Sequence, residues 1–148
     1  MGRRHRRLAS WTAYGPVTIV DSSAWVDYFN GAHTPHTERL HGALRNEEDI
    51  GVVPIVVTEV LQGFRTEAGF GNARRALLQL PVVHPRVDCY VRAAALFRSL
   101  RALGVTVRGA VDCVIAQICM DLDAELLSPD TDFEFIAHHT SLRLWRMA

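Results

Sequence analysis

The sequence predicts an α/β fold: a single domain with a central, mainly parallel five-stranded sheet and helices on both faces. Three observations carry that expectation. Short β-branched runs alternate with longer stretches of helical period from Val17 to the end of the chain, and parallel strands are those that need a helix-length crossover between them. The length of 148 residues suits one domain, which hides roughly 70% of its unfolded surface on folding. The composition, 49% apolar and 22% charged without a Gly/Ser-rich or densely charged tract, is that of a globular chain.

Each element has its own signal. "VTIVD" (17–21) is a β-branched run ending in an acid and makes the first strand; "SSAWVDYF" follows as a helix that Ser22 or Ser23 can cap. A helix over 36–47 places Leu40 and Leu44 on one face, and "IGVV" (50–53) is the second strand. Pro54, tolerated in a first helical turn, opens "PIVVTEVLQGFR". Val56, Val57, Val60, Leu61 and Phe64 recur there at helical spacing, although Val and Ile individually favour strands. A short helix over 72–79 leads to a third strand, "PVVH" (81–84). In the long helix "VDCYVRAAALFRSLRALG", Tyr90, Ala94, Phe97 and Leu100 form the apolar stripe and Gly104 the stop. "GAVDCVIAQICMDLD" turns Val111, Val114, Ile115, Ile118 and Leu122 inward. "ELLS" is the fourth strand, a helix starts at Phe133, and "LRLW" is the fifth strand.

Residues 1–15 carry no usable period and hold four of the sixteen arginines, so they read as a basic N-terminal extension to a domain spanning 16–148. Sixteen basic and sixteen acidic residues cancel. The molecule therefore offers no bulk positive field, and any contact with nucleic acid has to run through local patches or metal ions. Every basic residue is Arg. Cys89, Cys113 and Cys119 are odd in number, lie in apolar runs and lack CxxC spacing, so neither a disulfide framework nor a zinc site is suggested and a reducing cytoplasm fits. No apolar run approaches the roughly 18 residues of a membrane span, so a cytoplasmic protein without a membrane partner is expected.

The acids are the chemical signal. Asp21 ends the first strand and Asp130 follows the fourth, where an open parallel sheet presents its crevice. Glu59 borders the apolar stripe of its helix and Asp112 occupies the first turn of another. Carboxylates beside apolar surface need cations or donors, and Mg²⁺ or Mn²⁺ accepts several oxygen ligands while keeping positions open for water and phosphate. One or two such ions support in-line hydrolysis of a phosphodiester.

"TIVDSSAWVDYFNG", "PIVVTEVLQGFR", "VRGAVDCVIA" and "LLSPDTDFEFIA" together resemble the PIN-domain ribonucleases of the VapC toxin type, in the order of that family and over most of Val17–Trp145. The resemblance implies a PIN-like, Rossmann-like domain and a metal-dependent endoribonuclease toxin of a type II toxin–antitoxin system. It implies Asp21, Glu59, Asp112 and Asp130 as catalytic acids, with Asp21, Asp112 and Asp130 as ligands of Mg²⁺ or Mn²⁺, one ion or two. Asp132 matches the second acid of the D-x-D-F segment, as a ligand or a supporting group, Ser23 and Ser128 correspond to small polar positions that hold waters or neighbouring carboxylates, and Arg108 is a candidate contact for RNA or antitoxin. The family's pattern also implies an RNA substrate, a cognate antitoxin and a homodimer, for which the apolar helix faces near residues 23–45 are a candidate surface. The alternatives are a PIN-like binding or scaffold module without catalysis, which nuclease activity separates, and a phosphoacceptor receiver domain, which needs a lysine that this chain lacks.

Overall fold

The structure, a computed structural model, describes residues 16–148; the basic extension expected over residues 1–15 lies outside the described residues. Four parallel strands form one sheet in the order β2-β1-β3-β4, with β1 at Thr18–Val20, β2 at Ile50–Gly51, β3 at Glu125–Leu127 and β4 at Arg143–Leu144. Between β1 and β2 run α1 (Ser22–Phe29) and α2 (Pro35–Arg45). Between β2 and β3 run α3 (Pro54–Leu61), α4 (Glu67–Leu78), α5 (Val87–Ala102) and α6 (Ala110–Leu122), and α7 (Asp132–His139) joins β3 to β4.

The strand order explains the layers. Crossovers between parallel strands are right-handed, so connections that run in opposite directions along a sheet cover opposite faces. From β1 the chain moves outward to β2, then returns across β1 to β3 and β4. Accordingly α1 packs on α2 and α3, and α3 on α4, while α5 and α6 share an extensive contact and α6 packs on α7. Helices thus cover both faces. The reversal point between β1 and β3 is where such a sheet opens a crevice at its carboxyl edge.

The core is apolar and continuous, with Ile19, Trp25, Leu40, Leu126, Phe133 and Ile136 at most 1% exposed. Burying such side chains contributes about 1.5–3 kcal/mol each. The strands are short and β-branched or leucine-rich, as befits a sheet covered on both sides.

Several expectations are corrected. The sheet has four strands, because "PVVH" contributes only one bridge, Val82 opposite Val52; the Pro81 and Pro85 rings lack N–H donors and curtail a ladder there. The helix expected over 72–79 begins at Glu67, where the Thr66 side chain accepts a hydrogen bond from the Gly69 amide and so caps a glycine-containing first turn. On α5 the buried stripe is Cys89, Ala93 and Leu100, with Leu96 and Phe97 packed against the core; Tyr90 and Ala94 are exposed. On α6, Ile115 and Ile118 are buried as expected, joined by Cys113, Ala116 and Cys119, while Val111, Val114 and Leu122 pack partly buried. The faces near 23–45 largely enter the core, since Ala24, Trp25, Leu40 and Ala43 are buried. Gly104 does end the α5 region, at φ +78°, a conformation that L side chains rarely adopt.

Candidate active site

Register builds the site. Val20 lies opposite Leu127 and the Asp21 amide donates to the Leu127 carbonyl at 3.0 Å, so Asp21 and Ser128 leave adjacent parallel strands side by side. Asp21 occupies the N-cap position of α1, yet its side chain caps nothing. Its Oδ2 instead accepts hydrogen bonds from Ser23 Oγ at 2.7 Å and Ser128 Oγ at 3.1 Å. This carboxylate is 4% exposed, and the two hydroxyls hold its orientation while leaving Oδ1 for another partner.

The turn after β3 carries the hydrogen-bond chain onward. Ser128 Oγ accepts from the Asp130 amide at 3.1 Å, and Asp130 Oδ1 accepts from the Asp132 amide at 2.9 Å, an Asx turn leading into α7. Phe133 and Ile136, both fully buried, pin that helix to the core. Asp132 is thereby fixed at its first turn, and its Oδ2 is buried without a hydrogen-bond partner.

α6 carries Asp112 in its first turn. Among the described residues, Asp112, Asp130 and Asp132 each offer a carboxylate oxygen, and these oxygens lie within 4.8 Å of one another. An octahedral Mg²⁺ or Mn²⁺ with bonds of about 2.1 Å spans ligand oxygens about 3–4.2 Å apart, so these three residues could hold such an ion. Burial, followed by the charges of Asp21, Asp130, Asp132 and Glu59, pushes the Asp112 carboxyl up to about 7. All five acids therefore share one electrostatic field.

Glu59 comes from the middle of α3. Its Oε1 is buried without a hydrogen-bond partner. Burial and the Asp21 charge raise its affinity for a proton, with the Ser22 hydroxyl as a partial offset. Two orphaned carboxylate oxygens, on Glu59 and Asp132, are costly in a protein interior unless a cation or donor satisfies them. Hard oxygen donors of this kind fit Mg²⁺ or Mn²⁺, and the donor set contains no soft sulfur or imidazole ligand.

The structure brings Asp21, Glu59, Asp112, Asp130 and Asp132 within one another's electrostatic reach. Asp132, for which ligand and supporting roles were both open, lies in the tight trio with Asp112 and Asp130, and Asp21 stands on its hydroxyl pair. Ser23 and Ser128 take the supporting place expected of them. Arg108 Nε lies 3.6 Å from Asp132 Oδ2 as an ion pair. Ser22, whose hydroxyl acts on Glu59, was read only as a cap; its place one residue after the strand-end acid is the signal that marks it.

A groove of about 550 Å³ elsewhere, lined by residues such as Val83, Cys89, Ile118 and Leu122, holds none of these acids. Within it Arg92 pairs with Asp88 at 3.0 Å and with Asp121.

The chain has relatives among known proteins. The PIN domain family profile matches residues 18–138. Over 127 residues the chain is 30% identical to ribonuclease VapC11 of Mycobacterium tuberculosis and to a VapC ribonuclease of Mycobacterium bovis, covering 84% of this chain and 95% of each relative. A crystal structure of VapBC2 from Rickettsia felis, bound to a DNA fragment from their promoter, contains a chain that superposes with a TM-score of 0.70 at 18% identity, covering 87% of this chain and 97% of that one. VapC20 of Mycobacterium tuberculosis, a Sarcin-Ricin loop cleaving toxin, superposes with a TM-score of 0.61 at 16% identity, over 79% and 92% of the two chains. Among the described residues no helix is long and apolar enough to cross a membrane.

Proposed function

This chain belongs to the PIN-domain family, alongside the VapC ribonucleases, and on that premise we propose that it is a divalent-cation-dependent endoribonuclease, the toxin of a toxin–antitoxin pair. The observation that carries the reading is the convergence of five carboxylates on the reversal point of the sheet, two of them with buried, unpartnered oxygens.

In this reading Asp112, Asp130 and Asp132 hold Mg²⁺ or Mn²⁺, with Asp21 beside them to complete one site or begin a second. When bound, the ion neutralises phosphate charge and lowers the pKa of water towards neutrality. Asp21 is kept in one orientation by Ser23 and Ser128, so little reorganisation remains when substrate arrives. Glu59, half-buried with a raised affinity for protons, would take the proton from an attacking water in this reading. No side chain serves as nucleophile. The Ser23 and Ser128 hydroxyls are committed to Asp21, and Cys113, next to Asp112, is buried with its thiol pushed up to about 11.

RNA is the substrate in this reading, water the nucleophile, and a cognate antitoxin the inhibitor. That two structural relatives come from complexes named VapBC supports an antitoxin partner. A homodimer is supported by exposed Val87, Tyr90 and Val91 on one side of α5, and a cytoplasmic setting by three free, buried cysteines. Induction of the chain alone in a bacterial host tests the function. We expect growth arrest with wild type and none with Asp21→Asn or Asp130→Asn at equal folded level; arrest by all three proteins overturns the reading.

A further inference from the structure

Arg108 stands in the segment between α5 and α6, and among the described residues its ion pair is with the acid cluster, Nε lying 3.6 Å from Asp132 Oδ2. The two partners are unequal. The Asp132 side chain is 10% exposed and that of Arg108 84%, and Oδ2 makes no hydrogen bond. At 3.6 Å the guanidinium compensates the charge without bonding the oxygen. The other paired arginines differ: Arg39, Arg92, Arg143 and Arg146 all hydrogen-bond their acids. Arg108 keeps its whole fork of donors unused, at the rim of a site whose substrate is a phosphodiester.

Asp132 also belongs to the trio that can close on a cation. A divalent ion held there lies close to the guanidinium and repels it, while the Asp132 charge that attracted Arg108 is consumed by the ion. Resting on the nuclease reading above, we propose that Arg108 is a displaceable counter-ion: it neutralises Asp132 in the cation-free protein, and once a cation takes that carboxylate it turns to the RNA backbone and positions the phosphate through forked hydrogen bonds. Arg108 is thus a positioning residue, and its weak grip on Asp132 is what allows the exchange.

The test uses the full chain as wild type, Arg108→Gln and Arg108→Lys, substitutions at an exposed side chain that leave the core untouched. Mn²⁺ is titrated calorimetrically without RNA. A fluorescein-labelled, mixed-sequence single-stranded oligoribonucleotide is then titrated by anisotropy in Ca²⁺, across a range of salt. We expect Arg108→Gln to bind Mn²⁺ several-fold more tightly and RNA about tenfold more weakly, as befits loss of a charge-assisted hydrogen bond. The slope of log K against log salt should fall in magnitude by about 0.7, one single-strand phosphate contact. Arg108→Lys should retain the slope with part of the affinity. Unchanged or weaker Mn²⁺ binding by Arg108→Gln, or an unchanged salt slope, overturns the proposal alone. Wild type that takes up no Mn²⁺ overturns the nuclease reading with it.

Discussion

Replacing Asp112 with Asn should stabilise the cation-free protein while disabling the site, and the structure sets the size and pH window of the effect. Burial and four neighbouring acids lift the Asp112 carboxyl from its ordinary 3.8 to about 7. About 3 pH units at 1.36 kcal/mol each gives an upper bound of about 4 kcal/mol; partial exposure of the group reduces this to about 1–3 kcal/mol. The sign follows from proton binding. Well below the ordinary 3.8 folded and unfolded chains are equally protonated at this position and nothing is lost. Between about pH 4 and 7 the unfolded chain releases its proton first, so stability falls as pH rises, and above about pH 7 the penalty is complete. Asn carries no charge and escapes it. Thermal unfolding in EDTA should show Asp112→Asn melting about 3–10 °C above wild type at pH 8 and nearly level with it at pH 4. With Mn²⁺ added, wild type should gain stability and the variant much less, because ligand binding stabilises only a state that binds. An Asp112→Asn protein that melts at or below wild type at pH 8 in EDTA would refute the inference that repulsion and burial strain this cluster.

Three further substitutions separate orientation, scaffold and surface. Ser128→Ala removes a donor to Asp21 and an acceptor for the Asp130 amide; we expect about 1 kcal/mol lower stability and cleavage reduced about tenfold to a hundredfold, read by melting and by RNA turnover. Phe133→Ala leaves a void beneath the turn that carries Asp130 and Asp132, because Phe133 is fully buried. It should lose about 3–5 kcal/mol in denaturant unfolding and lose Mn²⁺ affinity with it. Arg92→Ala cuts an exposed pair with Asp88 and the contact with Asp121, far from the acid trio; it should cost about 1 kcal/mol or less and leave RNA cleavage at the wild-type rate.

What the sequence disclosed followed from how local each signal was. β1 was legible because Thr18–Val20 is β-branched and the acid after it marks the strand end. The α3 helix was legible despite its valines, because Val56 and Val60 keep helical spacing. The strand at 81–84 was over-read, since pattern alone does not weigh two prolines against a single pairing partner at a sheet edge. The first half of the α5 stripe was misphased by one residue: Tyr90 looks apolar but faces solvent, while small Cys89 and Ala93 are buried beside the expected Phe97 and Leu100. Small residues at a close helix contact have little hydropathy to announce them. The same limit applied to Asp132. Its turn chemistry was visible, but its burial depends on how Phe133 and Ile136 seat α7, and only folding brings it beside Asp112 from a helix twenty residues earlier.

Cleavage of total cellular RNA by the purified chain, in Mg²⁺, in Mn²⁺ and in EDTA with Asp21→Asn alongside, tests the central claim most directly. Discrete fragments from wild type in either cation, absent in EDTA and absent with the variant, are the expected result. Equal fragments in EDTA, full activity in Asp21→Asn, or intact RNA from folded wild type in both cations would contradict a metal-dependent nuclease built on these acids.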